Sequence, residues 1–397
     1  MAVAMFGCSA ETPRETVARL AIPAAAGSMG PNLASGPDKT VVLSWIEPDG
    51  DDHALRFSVL EDGAWGSPRT VTSGASWFVN WADFPSVVPL SDSLWGAHWL
   101  VSQPAGGYAY DVNVAISRDA GDTWSKPFLP HFDDTPTEHG FVTLFPDLGG
   151  IGLVWLDGRK MVNEFDEHDV STSGMTLRTA TFGEDLLPVR EALVDDLICD
   201  CCQSDVAMTG DGPVAVYRDR TTSEIRDVLV ARRVFGEWQA GVPVARDNWK
   251  IAACPVNGPV IRANGTKLAV AWFSAAGDRP IVQVAWSGDN AKTFSPPIEI
   301  DTEKPLGHVG AALLPDGDLI VSWHRSTGEG GAELLLRRVS ASGDLSDVFV
   351  VEEAADVFAI SVPQVALSAN SIIAVWTTEK NGDYGLASAA IPVSQLD

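Results

Sequence analysis

The chain has 397 residues, 45% of them apolar and 20% charged, so it can bury a large core and lacks the composition of a disordered chain. Its 53 acidic residues against 27 basic ones give a net charge of −26, which excludes the basic surface that nucleic acid or an anionic membrane face requires. No apolar run reaches the roughly 18 residues that a membrane-spanning helix needs.

In chain order, the apolar start Met1 to Phe6 leads into Gly7-Cys8-Ser9-Ala10, which resembles the end of a lipoprotein signal. Residues 1–16 are therefore expected to be a signal or lipoprotein-like segment, with Cys8 as the lipid anchor and the protein exported to the periplasm or cell surface. An unstructured start is the other reading.

From residue 17 onward an aromatic residue marks a period. Apolar strands end at Trp45, Trp99, Trp155, Tyr217, Trp272, Trp323 and Trp376, spaced by 54, 56, 62, 55, 51 and 53 residues. Each unit repeats an entry strand, the aromatic-ended strand, a third alternating strand such as Ala54 to Leu60, and a fourth near a Trp-Ser-x-Pro type turn. Short strands with Gly, Asp and Asn turns and no helical period are the pattern of four-stranded propeller blades. The fold class is thus all-β, a seven-bladed β-propeller over residues 17–397, with six blades as the alternative if two weak units merge. The last unit has only three clear strands, and Val17 to Ile22 can supply the fourth and close the ring.

One turn, Ser117-Arg118-Asp119-Ala120-Gly121-Asp122-Thr123-Trp124, fits the pattern Ser-x-Asp-x-Gly-x-Thr-Trp throughout. A second, Ser287 to Phe294, has Ala291 for Gly and Phe294 for Trp. Such a turn uses Asp to accept backbone N–H groups and Gly for a positive φ. On these turns and the repeat, the chain resembles the sialidase-like propellers with BNR or Asp-box repeats, a resemblance of architecture that spans nearly all of it. Asp boxes also occur in non-catalytic propellers, so activity does not follow.

Propeller topology places blade entries and the loops after second strands on one face. Entry segments bring Asp83, Glu138-His139-Gly140, Cys199, Cys201, Cys202, Cys254 and His308 there; the loops bring Asp157, Arg159, Tyr217 to Arg220, Arg226 and Arg325. A site at the mouth of the central funnel follows. Cys199, Cys201, Cys202 and Cys254, with His139 or His308, suit a soft metal, copper or zinc. A disulfide between Cys254 and one member of the cluster is the competing reading, and vicinal Cys201 and Cys202 make two independent bridges harder.

The resemblance also implies a three-arginine clamp for an acidic sugar, a Tyr-Glu nucleophile couple and an Asp acid. Arg159, Arg218, Arg220, Arg226 and Arg325 are the candidates for the clamp, Tyr217 with Glu224 for the couple, and Asp83 or Asp157 for the acid. The chain departs from the family where Ala21-Ile22-Pro23 replaces the opening Arg-Ile-Pro. Tyr217 holds the aromatic position of its repeat and can be core, and an Arg–Asp lattice between loops explains Arg218 to Arg220 equally well. Trp77, Trp81 and Trp249 are candidate stacking platforms, although with 14 tryptophans blade packing is the ordinary role. The acidic loop Lys160 to Ser173 reads as a solvated loop, a lid or a hard-cation site, and His53, His98 and His168 carry no expected role. Three functions therefore stand: an exo-α-sialidase-like glycoside hydrolase acting on or binding an anionic glycan, a copper, zinc or redox propeller, and a scaffold for a protein partner.

Overall fold

A computed structural model describes residues 17–161, 174–328, 330–354, 360–380 and 382–397. The lipoprotein-like start, His168 and most of the acidic loop lie outside them. Seven antiparallel sheets form a ring of blades. Blade 1 begins at Met29–Ser35, blade 2 at Ser86–Pro89, blade 3 at His139–Asp147 and blade 4 at Asp205–Thr209. Blades 5, 6 and 7 begin at Val260–Asn264, Pro305–Leu313 and Ile360–Ser368. Blade 2 has three strands in its sheet, and a bridge between Val114 and Phe128 marks the place of the fourth. The ring closes as the sequence predicts, because Ala18–Leu20 pairs with Asp383–Pro392 at the edge of blade 7.

The aromatic period has a direct physical cause. The second strand of each blade lies inside its sheet with a neighbouring blade on either face, so both of its side-chain rows are covered. Val41 to Ile46 and Gly150 to Asp157 are buried at every position, which makes a continuous apolar run rather than an alternating one. At ~25 cal/mol per Å² and roughly 200 Å² per ring, each buried indole contributes about 5 kcal/mol of transfer free energy, an upper bound.

Four of these rings also give their indole N–H a carboxylate partner. Trp45 donates to Glu47 (3.1 Å), Trp155 to Asp157 (2.8 Å), Trp272 to Asp247 (2.8 Å) and Trp323 to Asp301 (2.6 Å). In blade 4 the Tyr217 hydroxyl donates to Asp195 at 2.7 Å. Tyr217 therefore does in its blade what tryptophan does in those four.

The two patterned turns share one geometry. Asp119 Oδ1 accepts the Thr123 N–H (2.8 Å), and the Asp289 Oδ1 accepts that of Thr293 (2.9 Å). Gly121 has φ +83°, and Ala291 takes the equivalent left-handed conformation at φ +60°, a strain that its buried packing holds in place.

Candidate functional site

Blade entries and the loops after second strands meet on one rim, where blades 2, 3 and 4 carry most of the buried charge. The bridge from Ile198 to Asp219, with the Cys199 N–H donating to the Arg218 carbonyl (3.0 Å), lays the cysteine segment against the end of blade 4's second strand. Gln203 then ties three entries together: its amide donates to the Ala82 carbonyl (2.8 Å) and accepts from the Gly258 N–H (3.4 Å). Trp81, 39% exposed, reaches across to His308 of blade 6 with ring centroids 5.8 Å apart. The funnel mouth is thus crossed by protein.

The candidate arginines are all engaged. Arg220 binds Asp200 (3.0 Å) and Glu224 (2.8 Å), and Arg226 binds Glu224 (3.0 Å). Arg159 joins Asp157 (2.7 Å), Asp133 (3.2 Å) and Glu191 (3.0 Å), while Arg325 joins Asp301 and Glu303. Arg218 is fully buried over the Trp249 ring and donates to three backbone carbonyls, those of Asn257, Arg226 and Phe273, at 2.7 to 2.9 Å. The rim is therefore the ion-pair lattice, and a guanidinium clamp would first have to break it. Tyr217 and Glu224 do not form a couple, since Tyr217 points into the core toward Asp195. Asp157 is wholly buried and holds Trp155 and Arg159 in place. Trp77 and Trp249 are buried in blade packing, which leaves Trp81 as the accessible ring.

The sulfur atoms divide into two pairs. Cys201 and Cys254 form a disulfide, which removes both from the four-thiol metal set. Cys199 and Cys202 are free thiols, both buried, with Sγ atoms 2.6 Å apart. Arg226 Nη1 donates to Cys199 Sγ at 3.3 Å. Burial alone would raise the Cys199 pKa, but the Cys202 thiol, the Cys201 N–H and the Arg218 and Arg226 charges bring it down to about 7, whereas burial drives Cys202 well up.

Neither expected histidine joins the sulfurs. His308 Nδ1 faces His324 Nδ1 at 3.2 Å, and burial lowers the His308 pKa to about 4. His139 stacks on His131 with centroids 3.9 Å apart, among Asp111, Asp133 and Asp157. Although burial opposes it, Asp133 and Asp157 raise the His139 pKa. His139 Nδ1 is turned to the Tyr110 and Thr137 carbonyls and Arg159 spans two of the carboxylates, so the cluster is balanced as it stands.

Beside it lies a group that spacing does not reveal. The Tyr110 hydroxyl stands 2.7 Å from Asp83 Oδ2 and 2.7 Å from Glu138 Oε1, and Asp83 Oδ1 accepts the Phe141 N–H at 2.8 Å. Asn80 fixes the Asp83 turn by accepting the Ala82 N–H, and Gly140 leaves the space, since a Cβ there would run into Asp83 and stand 2.7 Å from the Tyr110 hydroxyl. Burial raises Asp83 to about 7 and Glu138 to about 8, the latter helped by repulsion from Asp83 and Asp200. Of the three, Glu138 alone is not fully buried. The arrangement can hold a proton near neutral pH and exchange it with a ligand at the rim.

No family model matches the chain, and no curated protein matches it in sequence. Its fold has solved relatives. A polysaccharide lyase described as an ulvan lyase is similar at TM-score 0.58 and 10% identity, covering 94% of this chain and 96% of that one. A protein of unknown function from Dyadobacter fermentans gives TM-score 0.53 and 13% identity, over 96% and 99% of the two chains. The NanB sialidase of Streptococcus pneumoniae gives 0.50 and 11%, over 97% and 72%. At these identities the likeness is one of fold.

Tyr110 was hidden in the sequence because it begins an ordinary third strand, and Asp83, named there only as an acid, sits 27 residues from it. The one available signal was Glu138 in the blade 3 entry, directly before His139 and the glycine that makes room.

Proposed function

We propose that the chain is an exported glycan-active propeller in which Glu138, backed by Tyr110 and Asp83, transfers a proton at the rim of blades 2 to 4. The observation that carries this reading is the partly buried Glu138 carboxyl joined through the Tyr110 hydroxyl, at 2.7 Å on either side, to the Asp83 carboxyl, with burial raising the two acids to about 8 and about 7. Trp81 offers the neighbouring exposed ring on which a sugar can stack. The sialidase and the polysaccharide lyase of like fold support a glycan as ligand. For the exo-α-sialidase form of the reaction, Tyr110 with Glu138 replaces Tyr217 with Glu224 as the Tyr-Glu couple, and an acidic substituent would displace Asp200 or Glu224 from Arg220. The Cys201–Cys254 bond supports an oxidising compartment, in keeping with export and a lipid anchor at Cys8.

The test is release of a fluorogenic aglycone from a sialoside, run beside ultraviolet detection of unsaturated products from uronate-containing polysaccharides, between pH 4 and 9. Turnover in one assay, falling ~100-fold or more in Glu138→Gln, is the expected result. Absence of turnover in both assays at every pH would reject it. A scaffold for a protein partner is the second reading, favoured by the internal pairing of every candidate arginine.

A further inference from the structure

The buried thiols Cys199 and Cys202 take no part in the chemistry proposed for Glu138. They lie against a disulfide of contrasting exposure: Cys254 is exposed and Cys201 half-buried, whereas Cys199 and Cys202 are sealed. The sulfurs of Cys199, Cys201 and Cys202 all lie within 4.8 Å of one another. We propose that these four cysteines form a thiol–disulfide exchange site, in which one disulfide bond passes between the rim pair Cys201–Cys254 and the buried pair Cys199–Cys202.

The electrostatics select exchange over metal binding. Arg226 donates directly to Cys199, and the buried Arg218 lies close enough to favour its anionic form. Two guanidiniums favour a sulfur anion and oppose a metal cation at the same place. The thiolate is the species that attacks a disulfide.

The steps balance without an added oxidant. The Cys199 thiolate attacks Cys201 Sγ; the Cys199–Cys201 bond forms, the Cys201–Cys254 bond breaks, and its electron pair leaves on Cys254, which becomes the rim thiolate. Cys202 then attacks Cys199 Sγ, giving up its proton to the departing Cys201 sulfur, and the Cys199–Cys202 bond forms. Two reduced sulfurs and one disulfide are present before and after. The negative charge has moved from Arg226 to the exposed rim. There the Cys254 thiolate can attack a low-molecular-weight disulfide, forming a mixed disulfide and releasing the other half as a thiolate.

The experiment uses the full chain in a Cys8→Ser background, isolated with the Cys201–Cys254 bond and two reduced thiols and then held at pH 8 without added thiol or oxidant. Samples are quenched with acid, alkylated after unfolding, and mapped without reductant; metal content is measured on protein isolated without chelator. The expected map contains both the Cys199–Cys202 and Cys201–Cys254 linkages, approaching a fixed ratio with time. Arg226→Gln slows that approach at least tenfold, and Arg226→Lys recovers part of the rate. The wild-type map decides the matter even where an Arg226 variant fails to fold. Two results overturn the proposal: a bond confined to Cys201–Cys254 at all times, or one copper or zinc per chain that protects Cys199 and Cys202 from alkylation.

Discussion

Blades 3 and 4 and blades 6 and 7 follow the same strand plan but fill it differently. In blades 6 and 7 the interior is one apolar cluster including Ile320, Leu334, Ile372 and Trp376, and the buried polar side chains are few and mostly small, such as Ser322 and Ser388. Blades 3 and 4 instead bury Asp157, His139, Arg218 and Arg226 along with two thiols. Burying charge costs several kcal/mol unless each group is paired. Blades 6 and 7 show that the architecture does not demand it, so the charge in blades 3 and 4 is a property of their own rim and not of the strand plan.

Substitutions at matching places test that contrast. The largest effect is expected at Arg218: removing a guanidinium that satisfies three buried carbonyls, as in Arg218→Ala, should cost about 3–5 kcal/mol in denaturant unfolding. Arg19→Ala in blade 7, where the half-exposed guanidinium lies 5.0 Å from the Trp376 centroid, should cost below about 1 kcal/mol. Equal costs would erase the distinction.

An intermediate effect separates two tryptophans. Trp155→Phe deletes the donor to Asp157, whereas the Trp376 indole nitrogen has no hydrogen-bond partner among the described residues. The two changes remove similar volume, so Trp155→Phe should be worse than Trp376→Phe by about 1–3 kcal/mol. If Trp376→Phe proves the costlier, the carboxylate partners do not matter to the ring.

The smallest effect is a pH slope. Glu138 and Asp83 have folded pKa values of about 8 and 7, above their unfolded values. Their stabilisation is complete below about pH 4 and is lost as pH rises through 7 to 8. His308, lowered to about 4, acts in the opposite sense, contributing stability above about pH 6.5 that is lost as pH falls through 4. Glu138→Gln should therefore flatten the melting temperature between pH 5 and 8, and His308→Gln should flatten it between pH 6.5 and 4. Parallel curves for either variant and wild type would contradict the assignment.

The ring was legible in the sequence because one physical condition, a second strand covered on both faces, acts on every blade and leaves an aromatic mark each time. Even Tyr217, which breaks the tryptophan series, obeys the rule through Asp195. A bond from Cys254 to the cysteine cluster was also legible, since adjacent blade entries meet near the axis, although the choice of Cys201 over its neighbours was not. Arginine pairings were illegible for another reason. Long side chains on a rim choose among several carboxylates by radial position and rotamer, and neither leaves a spacing in the chain. The Asp83–Tyr110–Glu138 group depends on the same unseen geometry, with the added requirement of bare space at Gly140.

The pairing of Ala18–Leu20 with Asp383–Pro392 has a consequence in time. During synthesis the first strand emerges hundreds of residues before its partner, so six blades can assemble while the seam stays open. Closure must wait for Asp383–Pro392, and a ribosome that stops short of residue 383 leaves an arc with two bare edges. Because Ala18–Leu20 and Asp383–Pro392 pair at the seam, linking those two strands covalently and cutting at an exposed turn such as Gly63 would relocate the last event of assembly without altering the circle.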